Sequence, residues 1–194
     1  MANRCDMRKL GVSIGIKGRN YLTRDKGEEA YSLLREKMLM TPEGEALVLV
    51  FPSEQLVDSS FADESIIRLG EQVLSGMYGE RTVVLEGLTE DSMKNFRAVL
   101  KLRGIKLPLL TVESSREWQV LGSLEENLYE ALRVVHKRSL LTASELSSIL
   151  GLAVNAASTK LKRLHNLHLL RRESEVSERG LQYIYHFWEW KKDS

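Results

Sequence analysis

The chain has a single cysteine, Cys5, which excludes an internal disulfide and with it the covalent framework of a small secreted scaffold. A lone thiol fits a reducing compartment. No apolar run approaches the about 18 residues that a membrane-spanning helix needs, and the opening MANRCDMRKL lacks the apolar core of a signal peptide. The expected location is therefore the cytoplasm, without membrane contact. Net charge is also nearly absent. Lys+Arg number 28 and Asp+Glu 27, leaving +1, so the chain as a whole is not drawn to polyanions and any basic surface must be local. Catalytic signatures are missing too. Gly11, Gly15 and Gly18 do not form Gly-x-Gly-x-x-Gly, and there is no Gly-x-x-x-x-Gly-Lys-Ser/Thr loop, Cys-x-x-Cys or His-Glu-x-x-His. His165 and His168 lie three apart without a carboxylate at a matching step. No enzymatic activity, cofactor or metal is expected, and no internal repeat or low-complexity tract is visible.

What is present is an ordinary globular balance, 43% hydrophobic and 28% charged over 194 residues, enough for two small domains with a core each. Leu47 to Phe51 form a continuous apolar run that reads as a strand buried on both faces, ended by Pro52. Gly11 to Ile16 alternate apolar with small residues and suggest a first strand, with Tyr21 and Leu22 a second. Ala30, Leu33, Leu34 and Met38 mark a helix that stops by Thr41 to Gly44. Thr82 to Leu88 is a further strand, followed by a helix through Met93, Phe96, Val99 and Leu100 that Asp91 or Ser92 would cap and Gly104 would end. Leu107 to Val112 is a last strand. Strands alternating with helices predict an α/β domain, a mixed sheet with helices, over residues 1–113. An inter-domain segment over 114–123, carrying Trp118, Val120 and Leu121, is expected to pack between this domain and a second one over 124–194.

After Pro52 come Val57, Asp58, Ser59 and Ser60, and from Phe61 the apolar positions Phe61, Ile66, Leu69 and Val73 recur at helical spacing. Small polar groups at a helix start can cap it, with Ser60 and Asp63 at capping-box spacing. They can equally meet an anion or accept a phosphate. Both readings stay open for Asp58, Ser59 and Ser60.

The last third is α+β. Leu124, Leu128, Leu132 and Val135 mark a first helix; Thr142 and Glu145 have capping-box spacing at the start of a second; after Gly151 a third runs over about 153–167. Leu169 to Glu173 and Leu181 to Trp188 then read as two strands around a polar turn. The third helix projects Val154, Ala157, Leu161 and Leu164 on one face and Asn155, Thr159, Lys162, Arg163 and Asn166 on the other. Between Val154 and Arg172 stand five basic residues and no acidic one. A charged face of this kind is often only solvated. It also carries the mixture of phosphate-binding and base-reading groups that a helix in the major groove needs. The expected contacts to duplex DNA are Asn155, Ser158, Thr159, Lys160, Lys162 and Arg163 on the helix and Arg171, Arg172 and Arg179 around the hairpin. Tyr183, Tyr185 and Phe187 alternate with Ile184, His186 and Trp188, so one face of the last strand is expected in the core and the other to meet a partner, either the first domain or the second subunit of a homodimer.

Two resemblances extend these readings. Leu141 to Arg172, LTASELSSILGLAVNAASTKLKRLHNLHLLRR, with the following Glu178-Arg179-Gly180 turn, resembles the winged helix-turn-helix of MarR- and ArsR-type regulators, which implies DNA binding. Val57 to Glu64, VDSSFADE, with its preceding strand and the upstream Leu22 to Gly27 segment, resembles the STAS-like domains related to anti-sigma factor antagonists. That resemblance implies phosphorylation of Ser59 by a partner of the histidine-kinase-like ATPase superfamily. The function expected is a prokaryotic transcriptional regulator whose STAS-like domain senses a signal or partner and controls a DNA-binding winged helix. The alternative is a protein-interaction switch whose winged helix docks protein.

Overall fold

A computed structural model describes residues 3–18, 20–52, 54–113, 117–177 and 180–188. They fall into two compact units, one ending at Ser123 and the other spanning Leu124–Trp188.

The first unit is a mixed α/β layer. Strands β1 (Asn3–Asp6), β2 (Ala46–Val50), β3 (Thr82–Glu86), β4 (Leu109–Val112) and β5 (Trp118–Leu121) lie side by side in that order. The first four are mutually parallel and β5 is antiparallel to β4. Ala46, Leu47, Val48 and Leu49 are all buried, as a continuous apolar run in a parallel sheet requires. The helices are α1 (Met7–Ser13), α2 (Arg24–Met40), α3 (Ser59–Ala62), α4 (Arg68–Leu74) and α5 (Glu90–Arg103); a π-helical turn, Asp63–Ile67, joins α3 to α4. Leu47, Leu49, Val83 and Leu85 of the sheet share one core with Leu34 and Met38 of α2, Phe61 of α3, Ile66 and Ile67 of the π-turn, and Phe96 of α5. The fully buried Phe61 ring lies 5.0 Å from Tyr21, and a side chain of that size contributes about 2–3 kcal/mol by leaving water.

Several elements differ from the sequence expectation. The segment Gly11 to Ile16 is not a strand; its first residues end α1. Met7, Leu10, Gly11 and Ile14 are the buried positions. Their spacing of three, four and seven is helical, and the apparent alternation is its shadow. Asp6 starts α1 by accepting from the Lys9 N–H at 3.1 Å. The first strand lies further upstream, where Cys5 is buried in β1 opposite Leu49, and burial pushes its thiol up to about 11. Tyr21 and Leu22 form no strand; Tyr21 makes an isolated parallel bridge to Val57. At α5 the cap is Thr89, whose hydroxyl accepts from the Ser92 N–H, rather than Asp91 or Ser92. Gly104, in left-handed geometry at φ 63°, ends that helix as expected. Within the segment expected between the domains, Trp118–Leu121 is the edge strand β5 of this sheet, its backbone paired antiparallel to β4.

The second unit contains α6 (Glu126–Arg138), β6 (Leu140–Thr142), α7 (Ala143–Leu150), α8 (Val154–Asn166), β7 (Leu170–Ser177) and β8 (Gly180–Phe187). The three strands form an antiparallel sheet in the order β6-β8-β7. Leu128, Ala131, Leu132 and Val135 of α6, Leu146 of α7, and Ala157, Leu161 and Leu164 of α8 are the buried helical positions. The capping box between Thr142 and Glu145 is formed, and Gly151 closes α7 at φ 64°. The hairpin β7–β8 is longer than expected, with Ser177 paired to Gly180. Arg179 and Glu178 lie outside the described residues.

Candidate nucleic-acid interface

Two places carry the polar residues singled out by the sequence. The first is the entry to α3. The Asp58 carboxylate caps that helix, accepting from the Phe61 N–H at 2.7 Å, and its second oxygen accepts from the Thr23 N–H at 3.3 Å. Thr23 is the N-cap of α2, held at φ 74° with no side-chain cap of its own. One carboxylate therefore serves the starts of two helices. The adjoining Val57 N–H donates to the Ser92 hydroxyl at 2.9 Å, and its carbonyl accepts from the Asn95 amide at 2.9 Å, which attaches the start of α5 to the same loop. Neither Ser59 nor Ser60, both half-buried, has a hydrogen-bond partner for its hydroxyl among the described residues. The capping box expected between Ser60 and Asp63 is not formed, because Asp58 is the N-cap, which puts Ser60 inside the helix, and Asp63 turns to arginines. Arg103 reaches Asp63 at 2.6 Å and Glu71 at 3.2 Å, while Arg24 pairs with Glu64 and approaches Asp63 at 3.9 Å. The acidic pair of the Ser-Phe-Ala-Asp-Glu stretch thus ties the first turn of α2 and the last turn of α5 to the π-turn.

The second place is α8. Asn155, Ser158, Thr159, Lys162, Arg163 and Asn166 are exposed along one side, and Ala157, Leu161, Leu164 and His165 are buried on the other. Val154, expected on the docking face, is 51% exposed; it is the first residue of the helix, and the buried stripe begins a turn later. Lys160 turns back toward α6 and donates to the Asn127 carbonyl at 3.3 Å. Arg163 is clasped by both oxygens of Glu125, one at 3.1 Å and the other closer, and the carboxylate raises the already high guanidinium pKa further. On β7, Arg171 pairs with Glu173 at 2.9 Å and Arg172 lies 4.5 Å over the Tyr183 ring. Thr159 donates its hydroxyl hydrogen to the Asn155 carbonyl at 2.8 Å.

The local positive charge is therefore smaller than the sequence count. Among the described residues Lys162 is the basic side chain of this region without an ion pair, hydrogen bond or ring contact. The structure gathers Asn155, Ser158, Thr159, Lys162 and Arg163 on one exposed helix side, and turns Lys160 toward α6. Exposed pairs such as Arg163–Glu125 are weak in water, so phosphate can compete for these cations. Sequence reasoning missed the Glu125 clamp, since its partner stands 38 residues away and no local spacing announces it.

Two of the histidines make contacts within the second unit. The Nδ1 of His165 faces the Leu170 carbonyl at 3.3 Å, which places a proton on that nitrogen. His168 offers its own carbonyl to the Trp188 indole at 3.0 Å. Among the described residues no group of three His, Cys, Asp or Glu side chains can hold a metal ion, and no helix is long and apolar enough to cross a membrane. A groove of about 340 Å³ beside β6 and α7 contains Glu145, but that carboxylate is taken by Thr142, whose backbone N–H lowers its pKa. No family model matches the chain, and no curated protein matches it either.

Proposed function

We propose that the chain is a prokaryotic transcriptional regulator, with a STAS-like domain that senses a partner or ligand and a winged helix that binds duplex DNA. The observation that carries this reading is the exposed side of α8. It follows a helix ended by a left-handed glycine, presents amide, hydroxyl and ammonium groups together, and is followed by a long two-stranded hairpin. Lys162 supplies phosphate contact directly; Arg163 and Arg171 supply it by exchanging a carboxylate for a phosphate. Two copies reading two half-sites would double this modest charge. The role is binding rather than catalysis. An anisotropy titration of genomic fragments, repeated with Lys162→Ala/Arg163→Ala, tests it: the wild type should bind more tightly and lose affinity with salt, and equal, salt-insensitive binding by the two proteins contradicts it.

A second reading, a protein-interaction switch, is favoured by one observation. Because Asp58 does the capping, the Ser59 hydroxyl is left without an internal partner. A phosphate there would add nearly two negative charges beside Asp58 and disturb the carboxylate that holds Thr23 and Phe61. Co-purification of a histidine-kinase-like ATPase, with a phosphate mass shift on Ser59 that is lost in Ser59→Ala, would support this reading. In either case a signal at Asp58 to Ser60 acts by shifting a population between binding-competent and incompetent states.

A further inference from the structure

The outward positions in the first two turns of α8 are Val154, Asn155, Ser158 and Thr159, together with the small Ala156. None is a guanidinium or an ammonium. Lys160 is turned back to Asn127 and Arg163 to Glu125, and Lys162 lies beyond the second turn. In a recognition helix the N-terminal residues reach base edges, whereas residues further along meet the backbone.

Resting on the DNA-binding reading, we infer that the first two turns of α8 select A·T base pairs. Guanine is read through O6 and N7 by arginine or lysine, and neither residue stands at these positions. Adenine is read through N6 and N7 by a side-chain amide, which Asn155 offers. The thymine C5-methyl is met by apolar groups, and two are in place. The isopropyl group of Val154 is 51% exposed and stands open to such a contact. Thr159 donates its hydroxyl hydrogen to the Asn155 carbonyl, and the same exposed side chain carries a methyl group that can meet thymine. Ser158 bonds to either base type and does not alter the balance.

The test uses the full chain and two labelled duplexes of equal length, identical except that the central half-sites are A·T in one and G·C in the other. The inference predicts roughly tenfold tighter binding to the A·T duplex. Val154→Ala/Asn155→Ala should bring the ratio near one and leave the salt dependence of binding unchanged, since neither residue neutralises phosphate. Both side chains are exposed and alanine suits a helix, so circular dichroism should show the variant folded. A wild-type ratio near one, or a G·C preference, with salt-dependent binding intact would overturn the inference while the DNA-binding reading stands. An A·T preference that survives the double variant would also overturn it, assigning the preference to groove shape. Absence of salt-dependent binding to either duplex would overturn both.

Discussion

Asp58 accepts from two backbone N–H groups, that of Phe61 in the first turn of α3 and that of Thr23, 35 residues upstream of it in sequence. Removing it leaves both donors unsatisfied. Asp58→Ala should therefore cost about 2 kcal/mol, whereas Ser59→Ala should stay within about 0.5 kcal/mol; urea unfolding of the two variants separates them. That a helix begins here was legible, because Asp58, Ser59 and Ser60 are all good cap residues in front of an apolar helical stripe. Which of them caps was not. The choice falls to the side chain with two acceptor oxygens, and the second acceptor is used by a distant residue. His136 gives a prediction of a different kind. Its ring lies 4.7 Å from that of Phe187 on an otherwise exposed residue, and partial desolvation lowers its pKa from the ordinary 6.5. Above that ordinary value both folded and unfolded chains hold a neutral ring, and the stabilisation is complete. As pH falls through it, the unfolded chain takes up a proton that the folded chain resists, so stability declines down to the lowered folded value. Glu145, also held low, adds a later decline below its ordinary 4.5. The urea midpoint of His136→Gln, followed from about pH 7 to pH 5, should lose the first decline; an unchanged decline contradicts the assignment.

At the level of elements, α2 shows how packing reverses a propensity. Gly27 lies inside a helix, where alanine is ordinarily better by about 1 kcal/mol. Here a Cβ would stand 3.0 Å from the Phe61 carbonyl oxygen and 3.0 Å from the Glu64 Cβ. Backbone does not yield easily, so Gly27→Ala should destabilise the protein by about 1–3 kcal/mol, a result that a thermal or urea melt checks by its sign. The upstream Leu22 to Gly27 stretch and the Ser-Phe-Ala-Asp-Glu stretch thus act as one junction, with a glycine for close approach and arginine–carboxylate pairs around it. The helices α2, α5, α6, α7 and α8 were legible from their periods and caps, because each runs long enough to repeat its buried stripe. The helix α1 was not. Seven residues, MRKLGVS, offer two turns, and at that length helical spacing and strand alternation share too many positions. On α8 the stripe was readable but its charge state was not, since the partner of Arg163 comes from the start of α6.

For the whole molecule, the alternation of apolar runs with helical stripes made the α/β character of the first unit readable. The three-helix and hairpin order of the second was readable in the same way. Strands β5 and β6, with four and three residues, were missed because they are too short to display a period, and β6 also joins its sheet through β8, far along the chain. The candidate interface was half legible: Asn155, Ser158, Thr159 and Lys162 stand exposed together, while Lys160, Arg163 and Arg172 are engaged by neighbours that sequence spacing does not reveal, and Arg171 by Glu173 two residues on in the same strand. On the proposed reading, the exposed side of α8 binds the DNA backbone through Lys162. The direct measurement is the affinity of the full chain for a labelled duplex over a series of salt concentrations, for the wild type and Lys162→Ala. The wild type should show log affinity falling linearly with log salt, and Lys162→Ala should reduce that slope by about one; identical slopes, or binding indifferent to salt, would contradict the claim.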